Sequence, residues 1–344
     1  MNFNIASLEL AIRGVAMTSI AAFILSMALT PLYTSLAFKY KAWKRVRDTS
    51  TTGEKAVVFH KLHAEKHKRN IPTMAGIIMV IVITIVTLVF NLSREQTYLP
   101  LFATLAAGGV GLLDDFINIR GQALGIAGLR TRMKFLLILA IAVAISLYAY
   151  FKLGYGSLLV PFWGQVTFGP FLIPFFVFVI VAIANAVNIS DGLDGLSGGL
   201  LSIAFGIYAM IAILQGNIGI AMFCATAIGT LLAYTWFNIY PARFFMGDVG
   251  SFAMGTALGV VALLTDTILL LPIIGGMFVI EAGSSSLQIL SKKIRKRKIF
   301  LSAPIHHHFE ALGWPETKVT MRFWILGFIF GTLGLMIAIV GGVV

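Results

Sequence analysis

The chain has 344 residues, 58% of them hydrophobic and only 12% charged, with a formal net charge of +12. A mean hydropathy of +0.93 excludes an ordinary soluble domain, and apolar runs that recur from end to end exclude a lone signal sequence or a single anchor. The one cysteine, Cys224, excludes a disulfide framework or a cysteine zinc site within one chain.

In chain order the apolar runs predict an all-α polytopic membrane protein with about ten transmembrane helices, at 14–38, 72–90, 98–116, 135–151, 171–189, 196–214, 218–237, 250–264, 268–290 and 323–343. No repeat or long linker divides them, so 1–344 reads as a single membrane domain. Ten spans leave five connections on one side, at 39–70, 117–134, 188–196, 238–249 and 291–322. These hold 23 of the 26 lysines and arginines. Basic connections are retained in the cytoplasm, which predicts both termini on the periplasmic side. The basic excess is then topological and does not call for nucleic acid. The run "KKIRKRK", Lys292–Lys298, fits a stop signal beside anionic lipid heads, with substrate binding as the alternative. On the outer side, 154–169 alternates enough to predict a short hairpin or an interfacial segment.

The same five connections collect the residues suited to chemistry. "VGLLDDFINIR", Val110 to Arg120, closes an apolar run with two carboxylates, each costly beside hydrocarbon unless something stabilises it. Neighbours on a helix point about 100° apart, so Asp114 and Asp115 are expected to divide roles: one toward a metal ion or its waters, the other toward a lysine or a phosphate proton. Simple pairing with Arg120 or Arg130 is the alternative. In "NAVNISDGLDGLSGG", Asn185 to Gly199, Asp191 and Asp194 share one face if the segment is helical, with Asn188 close behind as a further substrate-binding candidate; a packed turn with capping aspartates also fits. "WFNIYPARFFMGDVGS", Trp236 to Ser251, offers Asn238, an aromatic pair able to stack on a base, and Asp248 between glycines; an interfacial aromatic belt is the plainer reading.

"APIHHHFE", Ala303 to Glu310, is internal and is no purification tag. After Pro304 the chain is expected to leave regular helix, so its imidazoles need not share a direction. Phosphate binding by histidine N–H groups fits better than zinc, with acid–base work open as well. Hard carboxylate oxygens suit Mg²⁺, which keeps waters and substrate phosphates in its shell. Phosphoryl transfer at a membrane face, between one soluble and one lipid-dissolved substrate, is the class these residues suggest.

These segments, with "IPTMAG" at Ile71 to Gly76, closely resemble the bacterial phospho-N-acetylmuramoyl-pentapeptide transferases of the polyprenyl-phosphate N-acetylhexosamine-1-phosphate transferase superfamily. "GLLDD", "NAVNISDGLDGL", "FMGDVGS" and "APIHHHFE" followed by "GWPE" carry the resemblance over nearly the whole chain. It implies a ten-span, Mg²⁺-dependent enzyme of the bacterial inner membrane, typically a homodimer. Such an enzyme transfers phospho-MurNAc-pentapeptide from UDP-MurNAc-pentapeptide to undecaprenyl phosphate, giving lipid I and UMP.

The resemblance makes Asp248 the main Mg²⁺ ligand and Asp114 the candidate base, with Asp115 beside it in the catalytic centre. Asn238, Asp191, Asp194 and Phe245 fall at the uridine end, Phe245 by stacking, and His306, His307 and His308 match phosphate-handling histidines, His306 being the catalytic one. Lys68 and Thr73 match a basic first-loop motif, in which Glu65, Asn70, Ile71 and Ala75 depart from the usual pattern. A sister enzyme using UDP-GlcNAc is the nearest alternative. An ion-coupled transporter using Glu281 is the remote one.

Overall fold

The computed structural model describes residues 5–43, 70–91, 96–121 and 128–344. Glu65 and Lys68 lie outside the described residues. The chain forms α1 (Ile5–Lys39), α2 (Gly76–Phe90), α3 (Tyr98–Arg120), α4 (Thr131–Phe151), α5 (Leu172–Ser190), α6 (Leu196–Leu214), α7 (Ile218–Asn238), α8 (Gly247–Leu264), α9 (Gly276–Arg295), α10 (Ile305–Ala311) and α11 (Glu316–Val340). Between α4 and α5 stands the hairpin anticipated there, β1 (Ser157–Val160) paired antiparallel with β2 (Gly164–Thr167). Among the described residues, eight helices are long and apolar enough to cross a bilayer: α1, α3 to α8 and α11. Their outward side chains are apolar, as Phe178 on α5 and Ile325 and Phe328 on α11 illustrate. Lipid rather than water suits such a surface.

The two remaining expected spans differ from plain rods. Where a helix was expected from residue 72, it starts at Gly76 and runs 15 residues. The residues before it form an extended strap whose backbone is used elsewhere: Thr73 N–H donates to Ala42 O at 2.8 Å, and Pro72 O accepts Phe245 N–H at 2.8 Å. The run 268–290 is broken. A single turn, Leu271–Ile274, stops at Gly275, and α9 resumes with a polar face and a basic last turn of Lys292, Lys293 and Arg295.

Hydrogen bonds sort the helix termini into two ends. At one end, Tyr33 of α1 donates to Thr73 O before α2 (2.5 Å), Asn188 of α5 to Ser251 of α8 (2.9 Å), and Gly195 N–H before α6 to Asn238 of α7 (2.9 Å). At the other end, Asn91 after α2 donates to Gly219 O of α7 (2.7 Å), Tyr155 after α4 to Leu264 O of α8 (3.1 Å), and Gln215 after α6 to Thr265 O (2.8 Å). The polar cost of ending a helix is therefore met by a neighbouring chain end.

Helix α8 is the centre of the bundle. Every residue in it is buried except Asp248 in its first turn and Leu264 in its last. Neighbours reach it along glycine seams, since small residues let backbones approach where no hydrophobic effect drives helices together. A Cβ on Gly76 would stand 2.3 Å from Gly250 Cα, and one on Gly111 would stand 2.2 Å from the Asp248 carbonyl oxygen. Gly109, one position from Gly108 on α3, has nothing within 4 Å of its Cβ direction. Gly111→Ala is expected to cost about 1–3 kcal/mol by forcing α3 from α8. Gly109→Ala is expected to be neutral or slightly stabilising. Thermal unfolding of the detergent-purified pair checks this, and equal melting temperatures would show that the seam is not tight.

Candidate active site

Three carboxylates and one lysine meet where α3 ends and α8 begins. Oxygens of Asp114, Asp115 and Asp248 all lie within 4.8 Å of one another. Asp114 and Asp115 are buried, and Asp248 is partly open. Lys134, in the first turn of α4, bridges Asp114 Oδ2 at 2.8 Å and Asp248 Oδ2 at 2.5 Å. Its Nζ also lies 5.6 Å from the centre of the Phe252 ring. Asp114 Oδ1 further accepts Leu129 N–H at 2.7 Å, and Asp115 Oδ2 accepts Val249 N–H at 3.2 Å. Asp248 sits in the first turn of its helix, where the dipole favours negative charge.

The expected division between the adjacent aspartates holds in part. Asp114 takes the lysine while Asp115 takes a backbone N–H of α8, yet both still converge on one cluster with Asp248. Arg120 does not supply the cation to that cluster; its guanidinium stacks 4.5 Å from the Phe116 ring. Lys134 was missed. It lies 20 residues from Asp114 and 114 from Asp248, and sequence alone offered only its basic, first-turn position as a signal.

Glycine shapes the surroundings. Gly247 has φ +75°, and a Cβ there would meet Asp115 Oδ2 at 2.4 Å and Thr73 Oγ1 at 3.0 Å. The αL conformation and the crowding both demand glycine. They also place Thr73, carried by the strap, beside the carboxylates.

The expectation of a shared helical face for Asp191 and Asp194 is not met. Helix α5 stops at Ser190 and α6 begins at Leu196, so the two acids sit on a turn. Asp191 is half-buried. Asp194 is buried and structural: its Oδ2 accepts Ala242 N–H at 2.9 Å, while its own N–H donates to Glu316 Oε1 at 2.6 Å. Asn238 is likewise a brace, accepting Gly195 N–H and donating to Phe244 O at 2.8 Å. Of the aromatic pair, Phe244 is buried among Tyr33, Tyr234 and Phe237, and Phe245 is half-buried. Asn188 reaches Ser251, one turn beyond Asp248.

The histidines also correct an expectation. Beyond Pro304 the chain forms a helix, α10, rather than leaving one. Gln288 on α9 makes the reversal that delivers it, accepting Ile299 and Phe300 N–H and donating to Phe300 O. Helical geometry then splays the imidazoles. His306 Nδ1 pairs with Glu281 Oε2 at 2.7 Å, His307 Nδ1 with Glu310 Oε2 at 2.6 Å, and His308 Nδ1 accepts Leu301 N–H at 3.2 Å. His306 Nε2 faces the Asp191–Gly195 turn, since a Cβ on Gly192 would lie 2.4 Å from it. The chain from Asp248 through Ser251 and Asn188 to Gly192 and His306 makes the acidic cluster and the histidine neighbours at one end of the bundle.

Residues 97–266 match the model of Glycosyl transferase family 4. Curated relatives named phospho-N-acetylmuramoyl-pentapeptide-transferase are similar over nearly the whole chain. The Chloroflexus aurantiacus protein is 38% identical across 94% of this chain and 89% of its own length. The Geobacillus sp. protein is 37% identical across 93% and 96%, and the Bacillus mycoides protein 35% across 95% and 98%.

Lys134 occupies charge space that a divalent cation on the three carboxylates would share. Removing its charge while keeping length, as in Lys134→Gln, is expected to tighten Mn²⁺ binding by roughly tenfold, about 1.4 kcal/mol. Asp248→Asn is expected to weaken it. Electron paramagnetic resonance of Mn²⁺ titrations reads both, and unchanged affinity in Lys134→Gln would show that the lysine and the cation do not compete.

Proposed function

The chain belongs to the phospho-N-acetylmuramoyl-pentapeptide transferase family, a membrane transferase family of peptidoglycan synthesis, and from that membership we propose the reaction and the roles of its residues. The enzyme transfers phospho-MurNAc-pentapeptide from UDP-MurNAc-pentapeptide to undecaprenyl phosphate, giving lipid I and UMP. The observation that carries this reading is the convergence of Asp114, Asp115, Asp248 and Lys134 at the end of the bundle that also holds Asp191 and His306. That end faces the cytoplasm, as the lysine and arginine excess of its connections supports. The resemblance further supports a homodimer in the bacterial cytoplasmic membrane.

Three carboxylates with oxygens inside one 4.8 Å cluster fit a hard divalent cation, and Asp248, with Asp114 and Asp115 beside it, would hold Mg²⁺. When bound, Mg²⁺ offsets the charge that develops on the leaving UMP. The remaining work falls to the chain. An oxygen of the lipid phosphate attacks the sugar-linked phosphorus in line, the bond from that phosphorus to the UMP oxygen breaks, and UMP departs with the electron pair. A phosphate monoester has a second pKa of about 6 and is largely ionised at neutral pH. Asp114 therefore acts mainly by orienting the acceptor, with Lys134 fixing its carboxylate, and takes up the remaining proton where one is present. Phe245 stacks on the uracil, and Asn188 and Asp191 bound the donor's path. The resemblance assigns Lys68 and Thr73 to a basic first-loop motif that binds substrate. His306, His307 and His308 form the phosphate-handling group.

With undecaprenyl phosphate and Mg²⁺, the purified protein is expected to release UMP from UDP-MurNAc-pentapeptide and not from UDP-GlcNAc. Turnover of UDP-GlcNAc alone would transfer the assignment to the sister sugar-phosphate transferases. Asp248→Asn is expected to lower the rate by about 1000-fold or more. An Asp248→Asn enzyme that released UMP at the wild-type rate would remove the carboxylate cluster from the chemistry.

A further inference from the structure

Glu281 lies in the buried first half of α9 with no exposed surface, and His306 on α10 is equally enclosed. One carboxylate oxygen, Oε2, is 2.7 Å from His306 Nδ1; the other, Oε1, has no hydrogen-bond partner among the described residues. A buried carboxylate with an unsatisfied oxygen is an expensive way to fill space, and glutamine or methionine would pack there at less cost. The arrangement makes sense if the carboxyl group holds the imidazole in place. The other two histidines have local partners, His307 three residues along its own helix and His308 on the preceding loop. His306 is held by a carboxylate from a separate helix.

That hold has a directional consequence. With Nδ1 turned to Glu281, the opposite edge of the ring points at the backbone of Gly192, where a Cβ would stand 2.4 Å from Nε2. The neighbouring His307 ring, with centroids 4.1 Å apart and planes at 66°, closes one flank. We propose that Glu281 is a positioning residue for the transfer: it accepts the Nδ1–H of His306 and locks the ring so that Nε2 packs against the Asp191–Gly192 turn and fixes that turn beside the acidic cluster. A carboxyl group behind an imidazole fixes its tautomer and orientation. The inference rests on the transferase reading for the reaction that the turn serves, but not for the pairing itself.

Glu281→Gln keeps the size and removes the carboxyl group. It is expected to lower kcat for UMP release about 10- to 100-fold, to leave KM for the UDP donor within about threefold, and to leave the melting temperature unchanged. In a His306→Ala background the same substitution is expected to change the residual rate by less than about twofold, since residues acting as a unit are not additive. Equal losses in both backgrounds, or full activity in Glu281→Gln, would overturn the proposal. The wild-type protein supplies a test that needs no variant to fold well: solid-state ¹⁵N spectra, with His306 assigned by the signal lost in His306→Gln, are expected to show Nδ1 protonated. A bare Nδ1 would overturn the pairing. Wild-type turnover tests the transferase reading by itself, and the ¹⁵N spectrum decides the Glu281 contact without turnover.

Discussion

Three like charges held within 4.8 Å do not assemble themselves; packing must impose the cluster and local donors must compensate it. Helix packing comes first. Gly111 lets α3 lie against the Asp248 carbonyl, and Gly76 meets Gly250, so the ends of α2 and α3 are fixed to the first turn of α8. Donors come second. Lys134 bridges two of the acids, while Leu129 and Val249 offer backbone N–H groups to Asp114 and Asp115. Removing Lys134 from this set would leave the carboxylates without their cation. The cluster is therefore preorganised by packing, with Lys134 as its own cation and three carboxylates that could hold a metal ion.

Much of the polar chemistry around the cluster is scaffolding in the service of that geometry. Asp194, Asn238, Glu316 and Trp324 tie the turn after α5 to the loop before α8 and to α11 through backbone groups. These braces fix where Asp191 and Gly192 sit, and with them the direction from which a ligand meets Asn188 and His306. Sites built on rigid elements hold geometry better than sites on loops, and here the turn is made rigid by four side chains.

The sequence told its transmembrane character plainly because hydropathy integrates over 20 residues and tolerates local error. It also told that scattered acids share one membrane face, since alternating spans and the lysine and arginine asymmetry constrain side without any contact. What it told poorly depends on chain path over a few residues. The strap before α2 reads as apolar as a helix, and only its backbone bonds to Ala42 and Phe245 show why it is extended. The break at Gly275 and the helix after Pro304 were hidden for the same reason. Lys134 could not be singled out among 26 basic residues, because its partners are named by the fold. That Asp194 and Asn238 also brace backbone groups was hidden too, because motif spacing does not say which atoms a side chain faces.

The break in α9 follows from where the histidines must be. An unbroken rod from 268 would follow its neighbours to the site end and would bring its polar stripe, Glu281, Ser284, Gln288 and Ser291, to whichever face the apolar start dictated. Stopping the first turn at Gly275 decouples the two parts. Glu281 then faces inward, Gln288 catches the returning chain at Ile299 and Phe300, and the basic last turn remains outside. The outward face carries Leu287, Leu290 and Ile294, so the second half of α9 lies amphipathically at the edge of the bundle. A single helix thereby meets lipid on one side and orients a buried imidazole on the other, as a site between a soluble donor and a membrane-dissolved acceptor requires.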